Sequence, residues 1–428
     1  MQSDFLLLSE PVNGIVPCAV RIQAPKDVDR TSSHLILLLD ISTSMEEQNK
    51  LENVKRCCHL ILDFLTADDY LTLITFGDNS DILLNRVTVD SAKKEHIRSV
   101  ISNLSVDGCT NLSAGILNIK KVLKKEEKAG VLLLTDGMAN RGIVDTAKLQ
   151  EIVQGVCTDS VGIHCVGYGT NHNAELLRSL AEQNHGSYNI VNSIEDTAVA
   201  FGDTLGGLMS CFAQNVTVTL PPEAVIHGPY VMKHGKISIG DVNAGTQPIL
   251  LFDLPVTALA TVSIQGTIVK ELTEFRQEAI WQSLIERNQD IELCRLRYTC
   301  SDIMNELRNW KTLSSSTKET IKTRIDEFET KLQDIFLAGH SLTLMLTEEV
   351  AVLRDMLQSL QAHRVTHEQQ TVLSQHSAVL NLARGFSTPC RVTTHVDEDP
   401  QNLRSATFQN PTQQRIATNL RTASGIPY

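Results

Sequence analysis

The chain has 428 residues, 38 Lys and Arg against 50 Asp and Glu, a net charge of −12, and 4% aromatic residues. Such a length has room for about three domains at ~150 residues each. No basic run exceeds pairs such as Lys120-Lys121 and few rings are present for base stacking, which excludes a nucleic-acid footprint; no stretch of about 18 apolar residues is present to span a membrane.

The first ten residues lack a basic region, and their apolar stretch is too short for a signal peptide. Ten cysteines, at 18, 57, 58, 109, 157, 165, 211, 294, 300 and 390, occur without a Cys-x-x-Cys pair. Together these features predict reduced, mostly buried thiols in a cytoplasmic protein. Glycosylation-type triplets begin at Asn103, Asn111 and Asn215, a pattern that arises often by chance.

Residues 4–24 hold an alternating strand, Val16–Ile22. From 34 to about 211 short apolar runs (His34–Leu39, Tyr70–Phe76, Val131–Leu134, Val161–Val166, Ser187–Val191) alternate with helix-like stretches at about 50–66, 92–103, 112–126, 146–157, 173–184 and 194–211. Continuous apolar strands separated by helices predict a mainly parallel sheet covered on both faces. Ile82–Val89, reached through the turn-rich Gly77–Asp81, is the expected antiparallel edge. Residues 212–270 return to alternating strands (Val216–Leu220, Lys236–Ile239, Thr261–Val269) with Pro and Gly turns.

From 271 the period becomes helical, with apolar faces at 293, 296, 300, 303, 304 and 307, at 321, 325, 328, 332, 335 and 336, and at 346, 350, 353, 357 and 360. Ser316-Thr-Lys-Glu319 reads as a capping box before the second face, and a fourth helix is expected near 370–384. The expected fold is therefore α/β: a doubly wound, mainly parallel, Rossmann-like sheet (31–211) inserted in a small β-sandwich (1–30 and 212–270), followed by an α-helical bundle (271–386) and a mobile tail (387–428). The helical stripes are bundle core, with pairing to another chain as the alternative.

Ligands of an open parallel sheet bind where the strand carboxyl ends converge. Three loops meet that description. The first carries Asp40, Ser42 and Ser44, the second Asp107-Gly-Cys-Thr110-Asn111, the third Thr135-Asp136-Gly137. Carboxylates and hydroxyls are hard oxygen ligands that suit Mg²⁺ or Mn²⁺ better than zinc or copper. The competing reading is structural: Asp40 ends a strand and Ser42 and Ser44 cap the next helix.

At these residues the chain resembles the von Willebrand factor type A domain with its metal-ion-dependent adhesion site. The family pattern Asp-x-Ser-x-Ser falls on Asp40, Ser42 and Ser44, the loop threonine on Thr110 and the later aspartate on Asp136. The resemblance implies that Ser42, Ser44 and Thr110 touch Mg²⁺ directly (Mn²⁺ or Ca²⁺ also fitting), with Asp40 and Asp136 acting through water. It further implies an open position for the Asp or Glu carboxylate of a protein partner. The segments flanking this domain, including Ile239–Gly245, look like those of multidomain relatives of the inter-alpha-trypsin-inhibitor-like and intracellular Hint-associated kinds.

Elsewhere, Cys57-Cys58-His59 and His164-Cys165 read as core packing, since neighbours on a helix or strand diverge. His172 and Asn173 sit on a loop at the same strand ends, where they could shape the partner surface; the alternative is a helix start at Asn171 or Asn173. No Walker loop, His-Glu-x-x-His or nucleophile elbow is present. The expectation is a non-enzymatic interaction module or scaffold; the alternative is a regulatory or substrate-recruiting subunit of a ubiquitin ligase, ATPase or protease. A metal hydrolase lacks a free general base, and a secreted adhesion protein is disfavoured by the cysteines.

Overall fold

A computed structural model describes residues 2–381 apart from 27–31, 125–128, 137, 157–160, 170–171, 184–185, 192–193, 272, 284–287, 335–340 and 363–364. Over the described residues the chain divides into two compact units, one of the N-terminal segment up to 26 with 211–381, the other of the residues from 32 to 210. In chain order the strands β1 (Gln2–Leu7) and β2 (Ile15–Gln23) open the first unit.

The second unit contains β3 (His34–Asp40), α1 (Lys50–Phe64), β4 (Tyr70–Phe76), β5 (Ser80–Thr88), α2 (Ser91–Ser102), α3 (Leu112–Val122), β6 (Ala129–Thr135), α4 (Thr146–Val156), β7 (Val161–Tyr168), α5 (Ala174–Gln183), β8 (Tyr188–Val191) and α6 (Ile194–Met209). Its sheet has the order β5-β4-β3-β6-β7-β8, parallel except for the antiparallel edge β5. Every residue of β3 is buried. Leu35, Leu37 and Leu39 share a core with residues of α1, α2 and α6, while α3, α4 and α5 lie side by side and Leu38 meets α3 at Gly115. Burial on both faces is why this strand is a leucine run without alternation.

Successive strands after β3 go to one side and those from β6 to the other, so the winding reverses between β3 and β6. The crevice at such a switch point is where a doubly wound sheet receives its ligand. Asp40 and Thr135 are the last residues of those two strands.

The first unit resumes with β9 (Cys211–Thr219), β10 (Val225–His227), β11 (Met232–Lys233), β12 (Lys236–Asn243), β13 (Ile249–Pro255), β14 (Ser263–Ile268), β15 (Thr273–Glu278) and β16 (Trp281–Ser283), then α7 (Gln289–Arg308), α8 (Ser315–Asp334), α9 (Ser341–Gln361) and α10 (His367–Asn381). Two five-stranded sheets, β10-β13-β2-β1-β16 and β11-β12-β9-β14-β15, share one apolar core that includes Phe5, Val20, Val218, Ile239, Phe252 and Ile264.

Strands therefore continue to Ser283, where a helical segment from 271 was expected. β15 and β16 carry mostly exposed polar side chains and hold their place by pairing, β16 running parallel to β1. The expected helical faces are buried together with Leu6, Ala19, Ile249 and Leu251. The helices thus cover a sheet instead of closing on themselves alone, and the Tyr298 hydroxyl donates to the Ile249 carbonyl at 2.6 Å. The cap of α8 is Ser314, whose Oγ accepts from the Thr317 N–H at 3.1 Å; Ser316 and Glu319 lie within the helix. Positions 335 and 336 and the tail 387–428 fall outside the described residues.

Candidate metal centre

The β3 exit is the anchor of the site. Asp40 is fully buried; its Oδ1 accepts from the Ser42 N–H at 2.8 Å and its Oδ2 from the Thr135 hydroxyl at 2.5 Å. Burial pushes its carboxyl up to about 6, against the pull of Ser42 and Thr135 and with a further push from Asp136. The Ser42 and Ser44 hydroxyls lie 3.1 Å apart, and Ser44 Oγ donates to Asp136 Oδ1 at 2.7 Å. A continuous chain therefore joins Asp40, Ser42, Ser44 and Asp136.

The second loop is laced to the first through backbone. Asp107 N–H donates to the Ile41 carbonyl at 2.6 Å, and Thr43 N–H to the Gly108 carbonyl at 3.0 Å. Thr110 is buried, its N–H on Asn140 Oδ1 at 2.8 Å and its carbonyl accepting from the N–H groups of Asn140 and Arg141. Asn111 caps α3, its side chain accepting from the Ala114 N–H. Gly77 makes the close approach possible: a Cβ there would stand 2.1 Å from the Asp107 carbonyl oxygen.

The helix-cap alternative for Ser42 and Ser44 is not what the chain does. Ser42 precedes a short 3-10 turn, Thr43–Asn49, without a side-chain cap bond. Two consecutive residues, Gln48 (φ 52°) and Asn49 (φ 56°), then take the left-handed conformation without glycine, which L-residues adopt at a cost of about 1–2 kcal/mol each. Their effect is to turn Lys50 back toward the loops. Its ammonium contacts Asp136 Oδ2 at 2.6 Å, with side-chain exposures of 11% and 0% for the pair.

Lys50 is the participant that the sequence pattern missed, and Thr135 stood in the third loop without a role assigned to it. Lys50 reads as the first residue of an amphipathic helix, and only the hydroxyl immediately before Asp136 hinted at Thr135. His172, a candidate for the partner surface, is instead buried, its Nε2 2.5 Å from the Tyr188 hydroxyl and its ring filling the space above Gly167. Asn173 accepts from the Leu176 N–H and starts α5. Cys57 and Cys58 are buried in the core, and His59 Nε2 meets Ser102 Oγ at 3.2 Å.

The rim is set by the loop after Asp136. Met138, Ile143 and Val144 are exposed, while Arg141 pairs with Asp78 at 2.8 Å and the Ile143 N–H is held by Ser113 Oγ. Cys109, beside Thr110, is exposed, whereas the other seven described cysteines are buried. Among the described residues no three His, Cys, Asp or Glu side chains converge. The donors that do converge are two carboxylates linked by hydroxyls, an all-oxygen set that fits a hard divalent cation and not a soft one.

Residues 33–190 match the family model of the von Willebrand factor type A domain. This chain carries a von Willebrand factor type A domain. YfbK of Escherichia coli, an uncharacterized protein, is 24% identical over 247 residues, covering 54% of this chain and 43% of that one. Bovine inter-alpha-trypsin inhibitor heavy chain H1 is 25% identical over 212 residues, covering 47% and 23%. The match thus spans less than half of either curated relative. Among solved structures, the ArnB paralog VWA2 of Sulfolobus acidocaldarius superposes with a TM-score of 0.57 at 14% identity, covering 86% of this chain and 93% of that one. That agreement concerns the fold, and its coverage extends beyond the type A domain of this chain.

Proposed function

We propose that the type A domain is a metal-dependent protein-interaction module that engages an Asp or Glu carboxylate of a partner through Mg²⁺. The observation that carries this reading is the hydrogen-bonded chain Asp40–Ser42–Ser44–Asp136 at the switch point of the sheet. Ser42, Ser44 and Thr110 would hold the ion with neutral hydroxyls, and Asp40 and Asp136 would order its water. Bound Mg²⁺ supplies one chemistry here, an electrophilic position for an outside carboxylate oxygen.

The residues do the rest. Thr135 and the Ser42 N–H keep Asp40 fixed, and Ser44 ties the first loop to the third. Met138, Ile143 and Val144 offer apolar contact beside the site, which suits an acidic partner residue flanked by large apolar side chains. The reading is of recognition without catalysis. The sandwich and its helical layer serve as the carrier into which the domain is inserted between β2 and β9. Seven of the eight described cysteines are buried, which suits a reducing compartment.

Calorimetric titration with Mg²⁺ tests the metal step. Saturable heat with the wild type and none with Asp40→Ala is expected, and equal heat or no heat in both overturns it. The partner step is read by affinity capture in Mg²⁺ or EDTA. Partners released by EDTA and absent with Asp40→Ala support it, whereas a stable enzyme partner retained in EDTA favours a recruiting subunit.

A further inference from the structure

The type A site contains a cation of its own. Lys50 Nζ lies 2.6 Å from Asp136 Oδ2, on the same carboxylate whose other oxygen accepts from Ser44, and 3.4 Å from the Ser44 carbonyl. Glu47 is its other acidic neighbour, at 3.7 Å and 75% exposed. Asp136 is thus the principal counter-charge of an ammonium largely withdrawn from water. The pair is not an accident of a long side chain drifting over the surface. The left-handed Gln48 and Asn49 turn the backbone so that the first residue of α1 faces the loops.

We infer that Lys50 is a tethered counter-ion that occupies the charge balance of the site in the absence of metal and must yield to a divalent cation, so that it sets the metal affinity. Two buried carboxylates, Asp40 and Asp136, face each other across the Ser42–Ser44 hydroxyl pair, and Lys50 neutralises one of them. An arriving Mg²⁺ meets a site with half its negative charge already compensated and a like charge one carboxylate away. Close charges sheltered from solvent interact strongly. The domain consequently stays folded without metal and binds it more weakly than its oxygen donors alone would allow. Lys50 acts through Asp136 and is a positioning residue, with no need to touch the partner.

This inference rests on the metal reading above, and the experiment separates the two. Mg²⁺ is titrated into the wild-type chain, Lys50→Met and Lys50→Gln by calorimetry, and thermal unfolding of each is followed in EDTA and in saturating Mg²⁺. Both variants are expected to bind Mg²⁺ about tenfold or more tightly than the wild type, to melt below it in EDTA, and to recover in Mg²⁺. Binding by the variants with none by the wild type supports the inference as well. Variants that bind no tighter than a binding wild type, or that are destabilised equally in EDTA and Mg²⁺, overturn it and leave the metal reading standing. Absence of Mg²⁺ binding in all three overturns both.

Discussion

At the scale of single residues, the domain keeps its ionisable groups in defined states by what it places beside them. His34, at the start of β3, is 2% exposed. Its Nε2 is 2.8 Å from the Thr72 hydroxyl, and its Nδ1 faces Arg86 at 3.4 Å. A guanidinium can only donate, so Nδ1 accepts and the imidazole proton sits on Nε2. Burial, then Arg86 and Lys124, lower its pKa to about 4 from 6.5. The unfolded chain takes up this proton near pH 6.5 and the folded one does not. The neutral ring's contribution is therefore complete above pH 6.5 and is lost as pH falls toward 4, by up to about 3 kcal/mol. Urea unfolding at pH 7 and pH 4.5 should show this loss in the wild type and a shallower pH dependence in His34→Gln. Equal slopes would contradict it.

At the scale of elements, loops are positioned by strands, and at the candidate site a tight join is at Gly77. Its neighbour across the gap is the Asp107 carbonyl, backbone that cannot swing aside as a side chain can. Gly77→Ala is expected to shift the Thr110 loop, lowering stability by about 1–3 kcal/mol and weakening Mg²⁺ binding. Urea unfolding with calorimetry checks both. A control at Gly155, where a Cβ meets no neighbouring atom within 4 Å, should leave the site unaffected.

The same scale shows why parts of the site were legible. Asp40, Ser42 and Ser44 stand on one short loop after a leucine run, and Asp136 ends another such run, so local sequence contains the geometry. Lys50 does not announce itself, because its reach depends on two left-handed residues whose identity, Gln and Asn, does not demand that conformation. His172 was a candidate for the partner surface because a loop at strand ends looks exposed, whereas its ring is sheltered against Tyr188. β15 was missed because Phe275 is its one apolar residue and the other five are polar, so little alternation shows. Its signal is the register with β14, Ser263 opposite Glu278 through Ile268 opposite Thr273, which no window of sequence displays.

At the scale of the molecule, two units with separate cores share one discontinuous chain. β1 and β2 lie within the sheet β10-β13-β2-β1-β16, and Phe5, Val20 and Ile22 belong to the core of that unit. Pairing β1 with β16 links Phe5 to Trp281, a contact between segments that the type A domain separates along the chain. Removal of 1–29 is accordingly expected to cost that unit more than the ~5–15 kcal/mol by which a domain is stable, while 30–210 keeps a cooperative transition. Differential scanning calorimetry of the truncated chain should retain the transition of isolated 30–210. Loss of every transition would contradict the separation.

The exposure of Cys109 has a practical consequence. Of the eight described cysteines it alone meets solvent, and it is the residue before Thr110. With Cys157 and Cys390 replaced by Ser, a thiol reagent applied to the native chain should attach at one position, on the rim of the site. The labelling rate then becomes a clock for the second loop: Mg²⁺ or an acidic partner settling on that rim should slow it, and EDTA should restore it. Mass spectrometry of the labelled peptide reads that clock directly, and an unchanged rate would mean that the loop does not sense the ion.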